Sequence, residues 1–186
     1  MFAGHFGVAA VVKSKIPELP LWSLLVSTQL LDIAFFPLVL VGLESIEPIG
    51  EGGYAKMNIQ AFYTHSLVGA LLLSIFVACL AWKLWGKKSG AIIGLVTFSH
   101  WILDLIVHRP DLPILPGNIG DLPLLGFGLW ESVPASLFIE FLLIAVGIFF
   151  YFKYAVQTAQ SKSKGIIAGC FMTLFLFLCL SMDVFL

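Results

Sequence analysis

Charged residues are scarce in this chain: only 11% of its 186 residues are Asp, Glu, Lys or Arg, and the net charge is −1. A typical soluble domain has about a quarter of its residues charged. Long basic runs are also lacking, so we expect no nucleic-acid binding. Cysteine is rare, and we interpret Cys79, Cys170 and Cys179 as packing residues because they lie in apolar segments without metal-ligand spacing.

Apolar residues are abundant, at 60% of the chain, and the mean hydropathy is +1.02. A membrane-crossing helix needs about 20 consecutive apolar residues. The sequence therefore predicts an all-α, polytopic membrane helical bundle of about six helices, the first one short, which forms a single integral membrane domain over residues 1–186. The predicted helices are Phe2–Val12, Leu21–Leu43, Ile59–Leu84, Ala91–Val107, Leu129–Tyr154 and Gly165–Leu186.

The basic residues predict the orientation in the bilayer. The first, third and fifth connections carry lysines, whereas the second and fourth are mainly acidic. Cytoplasmic loops are enriched in Lys and Arg, so both termini are expected on the external side. We also expect Pro37 to kink the second helix, and the loop at residues 111–128, rich in Pro and Gly, to cover a cavity that opens outward.

The strongest functional signal is the segment that contains His100, Asp104 and His108. Steps of four residues place all three side chains on one stripe of a helix. Such groups are costly to bury in hydrocarbon unless they meet partners, a metal ion or water.

Further polar residues fall in the other apolar segments. Neutral imidazole and carboxylate are ligands for zinc, manganese or iron. We therefore predict a centre of one or two divalent ions, most plausibly zinc, facing the cavity, with Asp104 as a possible bridge between two ions. The predicted ligands are His5, Asp32, His65, His100 and Asp104. Two alternatives stay open: a buried hydrogen-bond network without metal, and a path for protons or ions.

Other residues are candidates for roles beside these ligands. Glu140 could complete the site, act as a general base, or bond Ser136 within its own helix. His108 and Arg109 could bind the anionic head of a substrate, although Arg109 could instead anchor in lipid headgroups. We expect Trp130 to lie at the outer boundary of the membrane as an interfacial anchor, and Asp183 to lie in solvent at the outer surface.

Four short motifs carry a resemblance to a known family. In chain order they are Ala3-Gly4-His5, Gln29-Leu30-Leu31-Asp32, Tyr63-Thr64-His65-Ser66-Leu67 and Ser99-His100-Trp101-Ile102-Leu103-Asp104. In order and spacing they resemble the bacterial LexA-regulated, membrane-bound metal-dependent hydrolases. That resemblance implies a small helical bundle in the inner membrane and maps the same five residues onto the family's presumed ligands.

A looser likeness, in ligand order and residue type only, reaches zinc-dependent phospholipase C and related single-strand nucleases. It implies phosphoester chemistry. The resulting expectation is a membrane hydrolase in which a metal-activated water attacks a phosphoester of a lipid or another amphiphile, with Asp104 and Glu140 as catalytic residues. The rival expectations are a transporter that uses the same polar cluster without bond cleavage, and a membrane protein with a structural metal.

Overall fold

The helices follow the order of the apolar segments. The computed structural model describes residues 1–50 and 54–185, and within them the chain forms seven α-helices and one two-stranded antiparallel hairpin. The helices are α1 (Phe2–Lys15), α2 (Leu21–Thr28), α3 (Leu30–Leu40), α4 (Leu67–Trp85), α5 (Lys87–Val107), α6 (Val133–Thr158) and α7 (Lys162–Phe185), and the strands are β1 (Ser45–Pro48) and β2 (Met57–Gln60). The predicted all-α fold class is confirmed.

The number of candidate membrane spans is smaller than predicted. Four of the described helices, α4 to α7, are long and apolar enough to cross a membrane, and the bent pair α2 and α3 adds a fifth if it is one span. Helix α1 has only 14 residues. It is a buried helix of the bundle instead, packed against α2, α5, α6 and α7.

Small residues allow α1 to lie deep in the bundle. A Cβ on Gly7 would lie 2.7 Å from the carbonyl oxygen of Leu143, and one on Gly147 would lie 2.7 Å from that of Gly7. The backbones of α1 and α6 therefore touch, as is common where small residues line helix contacts in membranes. This contact holds His5, two residues before Gly7, inside the bundle.

The second apolar segment breaks at Gln29. Helices α2 and α3 meet there at an angle of 51°, and α3 continues through Pro37 to Leu40. The sequence did not predict the break at Gln29, and the kink at Pro37 stays a prediction. A break between two helices leaves carbonyl groups without an intrahelical partner, and here the break is next to the carbonyl of Thr28.

The third predicted helix begins later than expected. Ser66 caps the first turn of α4, with its Oγ accepting from the backbone N of Gly69 at 3.0 Å. The preceding residues form the hairpin and a turn, so His65 lies just outside the helix. A capping serine is a recognisable start signal, which the length of the apolar run obscured.

The long loop before α6 does not cover the cavity described below. Its backbone pairs with the start of α4, where Leu67 and Val68 donate to the carbonyls of Pro113 and Ile114. None of residues 111–128 lines the cavity. The β1–β2 hairpin occupies the place that the sequence assigned to this loop.

Candidate metal centre

The five predicted ligands come together although they belong to four parts of the chain. His5 lies in α1, Asp32 in the first turn of α3, His65 before α4, and His100 and Asp104 in α5. All are buried except Asp32, whose side chain is 31% exposed. Two groups of three have mutually close donor atoms and share His100: His5, His100 and Asp104, and Asp32, His65 and His100.

Asp104 lies between the imidazoles. Its Oδ1 is 3.2 Å from Nε2 of His5, and its Oδ2 is 3.0 Å from Nε2 of His100 and 3.5 Å from Nε2 of His65. On the other side, Oδ1 of Asp32 is 3.3 Å from His65 Nε2 and 3.6 Å from His100 Nε2. Neighbouring ligand atoms bound to one ion at about 2.0–2.2 Å, at tetrahedral or octahedral angles, lie about 2.8–3.6 Å apart. The spacing of these side chains fits such a shell.

The hydrogen bond on the far side of His100 fixes which ring nitrogen faces the cluster. Its Nδ1 lies 2.6 Å from the carbonyl oxygen of Thr28. A carbonyl only accepts, so Nδ1 carries the proton. In the neutral ring, Nε2 therefore presents a lone pair to the carboxylates of Asp32 and Asp104.

The same reasoning applies to His65. The Thr64 hydroxyl lies 3.0 Å from Glu44 Oε2 and 2.9 Å from His65 Nδ1. Its single proton goes to the carboxylate, so it accepts from the imidazole, and the lone pair of a neutral His65 is again on Nε2. Glu44, buried itself, also accepts from the backbone N atoms of Tyr63 and Thr64. Such second partners orient metal-ligating histidines in known sites.

The third imidazole is held differently. The ring of His5 stacks on that of His100 with centroids 3.8 Å apart, and its Nδ1 has no hydrogen-bond partner within the part of the chain that the structure describes. Its position comes from its helix. The Asp183 carboxylate, expected in solvent, is half-buried and accepts from the backbone N of Ala3 at 2.8 Å, at the start of α1.

Glu140 is bonded to residues next to the candidate ligands and not to the ligands themselves. One carboxylate oxygen accepts from the backbone N of Gly4 at 3.0 Å, and the other accepts from the hydroxyl of Tyr54 at 2.9 Å. Burial, together with the Glu140 carboxylate, raises the pKa of the Tyr54 phenol. Of the three alternatives for Glu140, the bond to Ser136 is not formed, because the Ser136 hydroxyl donates to the carbonyl of Leu129. A catalytic role for Glu140 stays a prediction.

The end of α5 departs from the sequence-based expectation. Arg109 does not reach over the cavity; its guanidinium donates to the carbonyls of Ala55 at 2.9 Å and Met57 at 3.3 Å and so fastens the hairpin. Its contact with an anionic head stays a prediction. Trp130 is buried, with its ring centroid 4.3 Å from that of His108, so it is not an interfacial anchor.

The cluster forms the polar base of an open cavity of about 220 Å³. Its walls are apolar and come from α3 and the hairpin: Phe35, Phe36, Ile46, Met57 and Ile59. Phe36 is 59% exposed, so the mouth adjoins an apolar outer surface. None of the described residues that line the cavity is Lys or Arg.

Sequence reasoning missed the partners behind the ligands. These partners are Glu44, Tyr54 and Thr64, which lie beside or within the hairpin and in the turn before α4. These segments are not helical, so helical spacing in the sequence did not reveal them. Thr64, directly before His65, was a visible signal because a hydroxyl next to a candidate ligand often orients it.

No protein-family model, curated protein or solved structure matches this chain. The chemistry of the site itself is therefore the basis for its function. The chain has several helices that could span a membrane and a buried His/Asp cluster that could bind a metal ion.

Proposed function

We propose that this chain is a membrane-bound metal-dependent hydrolase that acts on a phosphoester of an amphiphilic substrate. The observation that carries the proposal is the convergence of lone pairs. Nε2 of His65 and His100 are 3.4 Å apart and both face the carboxylates of Asp32 and Asp104. Four electron-rich atoms at such spacing repel one another unless cations lie among them.

A metal ion and protons are the two cations that could balance this cluster. A metal also explains why five ligating side chains occur together with buried partners behind two of them. The donor set, imidazole nitrogen and carboxylate oxygen, suits zinc best and manganese or iron as alternatives. With six donor atoms available if both oxygens of Asp104 bind, the site has room for one ion or two.

The likeness in ligand order to zinc-dependent phospholipase C favours phosphoester hydrolysis. A bound divalent ion would make water a nucleophile at neutral pH and stabilise developing negative charge. The cavity wall provides no Lys or Arg to meet an anionic group, so this charge would depend on the metal. The apolar wall and the exposed Phe36 at the mouth favour a substrate with a hydrocarbon chain that enters from the bilayer.

The roles of the chain's own residues follow from their places. The five clustered side chains would hold the metal, with His100 fixed by the carbonyl of Thr28 and His65 fixed by Thr64. Phe35 and Ile59 would contact the hydrocarbon chain. Glu140 would maintain the position of α1, and thereby of His5, through the Gly4 backbone.

The test is a metal and activity measurement on the purified protein in lipid nanodiscs. Elemental analysis without chelator should find zinc, manganese or iron. Protein stripped and then reloaded with each ion should cleave a long-chain phosphodiester in a metal-dependent way. Asp32→Asn should lose turnover and metal, whereas Glu131→Gln, a matched change at an exposed carboxylate outside the cavity, should keep both.

Three outcomes would contradict the proposal. Protein without a bound transition metal, and with no affinity for one, would leave the protonated hydrogen-bond network as the explanation of the cluster. Substrate or proton flux in proteoliposomes without product would indicate a transporter. Metal-dependent thermal stability with intact substrate would indicate a structural metal.

A further inference from the structure

One histidine that lines the cavity is not part of the ligand cluster, the name used here for the five predicted ligands His5, Asp32, His65, His100 and Asp104. His108 is buried, and its ring centroid lies 6.4 Å from that of His65. It belongs to neither group of three close ligand atoms. Its side chain nevertheless reaches the same cavity as the cluster.

A carboxylate holds this histidine in one orientation. Nδ1 of His108 lies 2.8 Å from Oδ1 of Asp111, and the two side chains are only 4% and 18% exposed. The carboxylate accepts, so Nδ1 donates, and Nε2 is the remaining polar atom of the ring. Among the described residues, the bond from Nδ1 to Asp111 is the one hydrogen bond of this ring, so Nε2 is left without a partner. Trp130 packs against the ring and limits its rotation.

This arrangement is the one that enzymes use for a histidine that transfers protons. The carboxylate fixes the tautomer and stabilises the imidazolium, while the opposite nitrogen faces the reacting group. The chain also ends α5 at Val107, so that His108 and Asp111 lie in the turn that follows the helix. Asp111 can meet His108 there because the backbone turns back at Pro110.

The other titratable side chains at the cavity outside the cluster, those of Tyr54 and Asp183, already have hydrogen-bond partners among the described residues. The hydroxyl of Tyr54 donates to Glu140, and burial raises its pKa. The Asp183 carboxylate accepts from backbone N atoms at the start of α1. Among these side chains, His108 is thus the one that can best deliver a proton into the cavity.

We infer that His108, oriented by Asp111, is the general acid that protonates the leaving group, an inference that rests on the proposed hydrolysis. Water held at the cluster attacks phosphorus, and a phosphorus–oxygen bond forms. The bond from phosphorus to the leaving oxygen breaks, its electron pair stays on that oxygen, and the proton on His108 Nε2 moves to it. The attacking water gives one proton to solvent and His108 regains one, so the net reaction adds one water.

The test compares two phosphodiesters with the same long alkyl chain, one with an alkyl and one with a p-nitrophenyl leaving group. An alkoxide needs a proton to leave, whereas p-nitrophenolate does not. His108→Gln should lower kcat on the alkyl substrate by about 10²–10⁴-fold but on the p-nitrophenyl substrate by less than about tenfold. Asp111→Asn should show the same selectivity with a smaller loss, and Asp121→Asn, an exposed change in the same loop, should show none.

Metal content and leaving-group selectivity separate the outcomes. Equal losses on both substrates, or loss of metal from His108→Gln, would overturn the general-acid role and leave hydrolysis standing. Wild-type protein that binds metal but cleaves neither substrate would overturn the proposed function and this inference together. Selective loss with unchanged metal content would support both.

Discussion

Replacement of Asp104 by Ala is the most direct test of the metal centre, because this side chain contacts three imidazoles. Its oxygens lie 3.0, 3.2 and 3.5 Å from the Nε2 atoms of His100, His5 and His65. Binding of a zinc ion by four protein ligands amounts to about 10–16 kcal/mol, or about 2.5–4 kcal/mol for each ligand. Loss of one ligand should therefore weaken binding by about 10²–10³-fold, and more if both oxygens bind.

The assay is competition for zinc against a chelator of known affinity, with stoichiometry from elemental analysis. Asp104→Asn serves as the closest isostere, since it keeps the volume and one carbonyl oxygen but removes the charge. Thermal unfolding of the metal-free proteins, compared with wild type, checks that the bundle still folds. Wild-type affinity and stoichiometry in Asp104→Ala would refute the assignment of this cluster as a metal site.

Three further outcomes follow from the contacts around the cluster. Thr64→Val should lower metal affinity by about 10–100-fold, because His65 loses the acceptor that orients it. Thr64→Ser keeps the hydroxyl and should retain the wild-type affinity. Equal metal affinities of Thr64→Val and wild type would contradict this role of Thr64. Gly7→Leu should destabilise the protein by about 1–3 kcal/mol through overpacking against α6, measured by thermal unfolding beside Ala91→Leu on an exposed face. Arg109→Gln should remove two hydrogen bonds to the hairpin, each contributing at most about 3 kcal/mol. The amides of residues 54–60 should then exchange faster with deuterium, and unchanged protection would show that other contacts hold the hairpin.

The ligand cluster was predictable from the sequence for a thermodynamic reason. A histidine or aspartate in a long apolar segment is costly to bury unless it finds a partner, and here five such residues are spread over several segments. The step of four residues from His100 to Asp104 placed both on one face of α5. The sequence did not show which donor atoms of these side chains meet, because their meeting depends on the packing of α1 against α6.

Local backbone breaks were less predictable than helices. Pro37 suggested a kink by its chemistry, yet α3 tolerates it near its end. The break falls at Gln29, where no Gly or Pro marks it and where its side chain donates to the carbonyl of Phe2. Tertiary contacts, which a single sequence does not display, thus decide where this segment bends.

The break at Gln29 and the site have a physical connection. In an uninterrupted helix the carbonyl of Thr28 would accept from the backbone N of residue 32. Because the helix stops there, this carbonyl accepts from His100 Nδ1 at 2.6 Å, and the following turn carries Asp32 into the same cluster. One interruption therefore positions a candidate ligand and frees the carbonyl group that orients another candidate ligand.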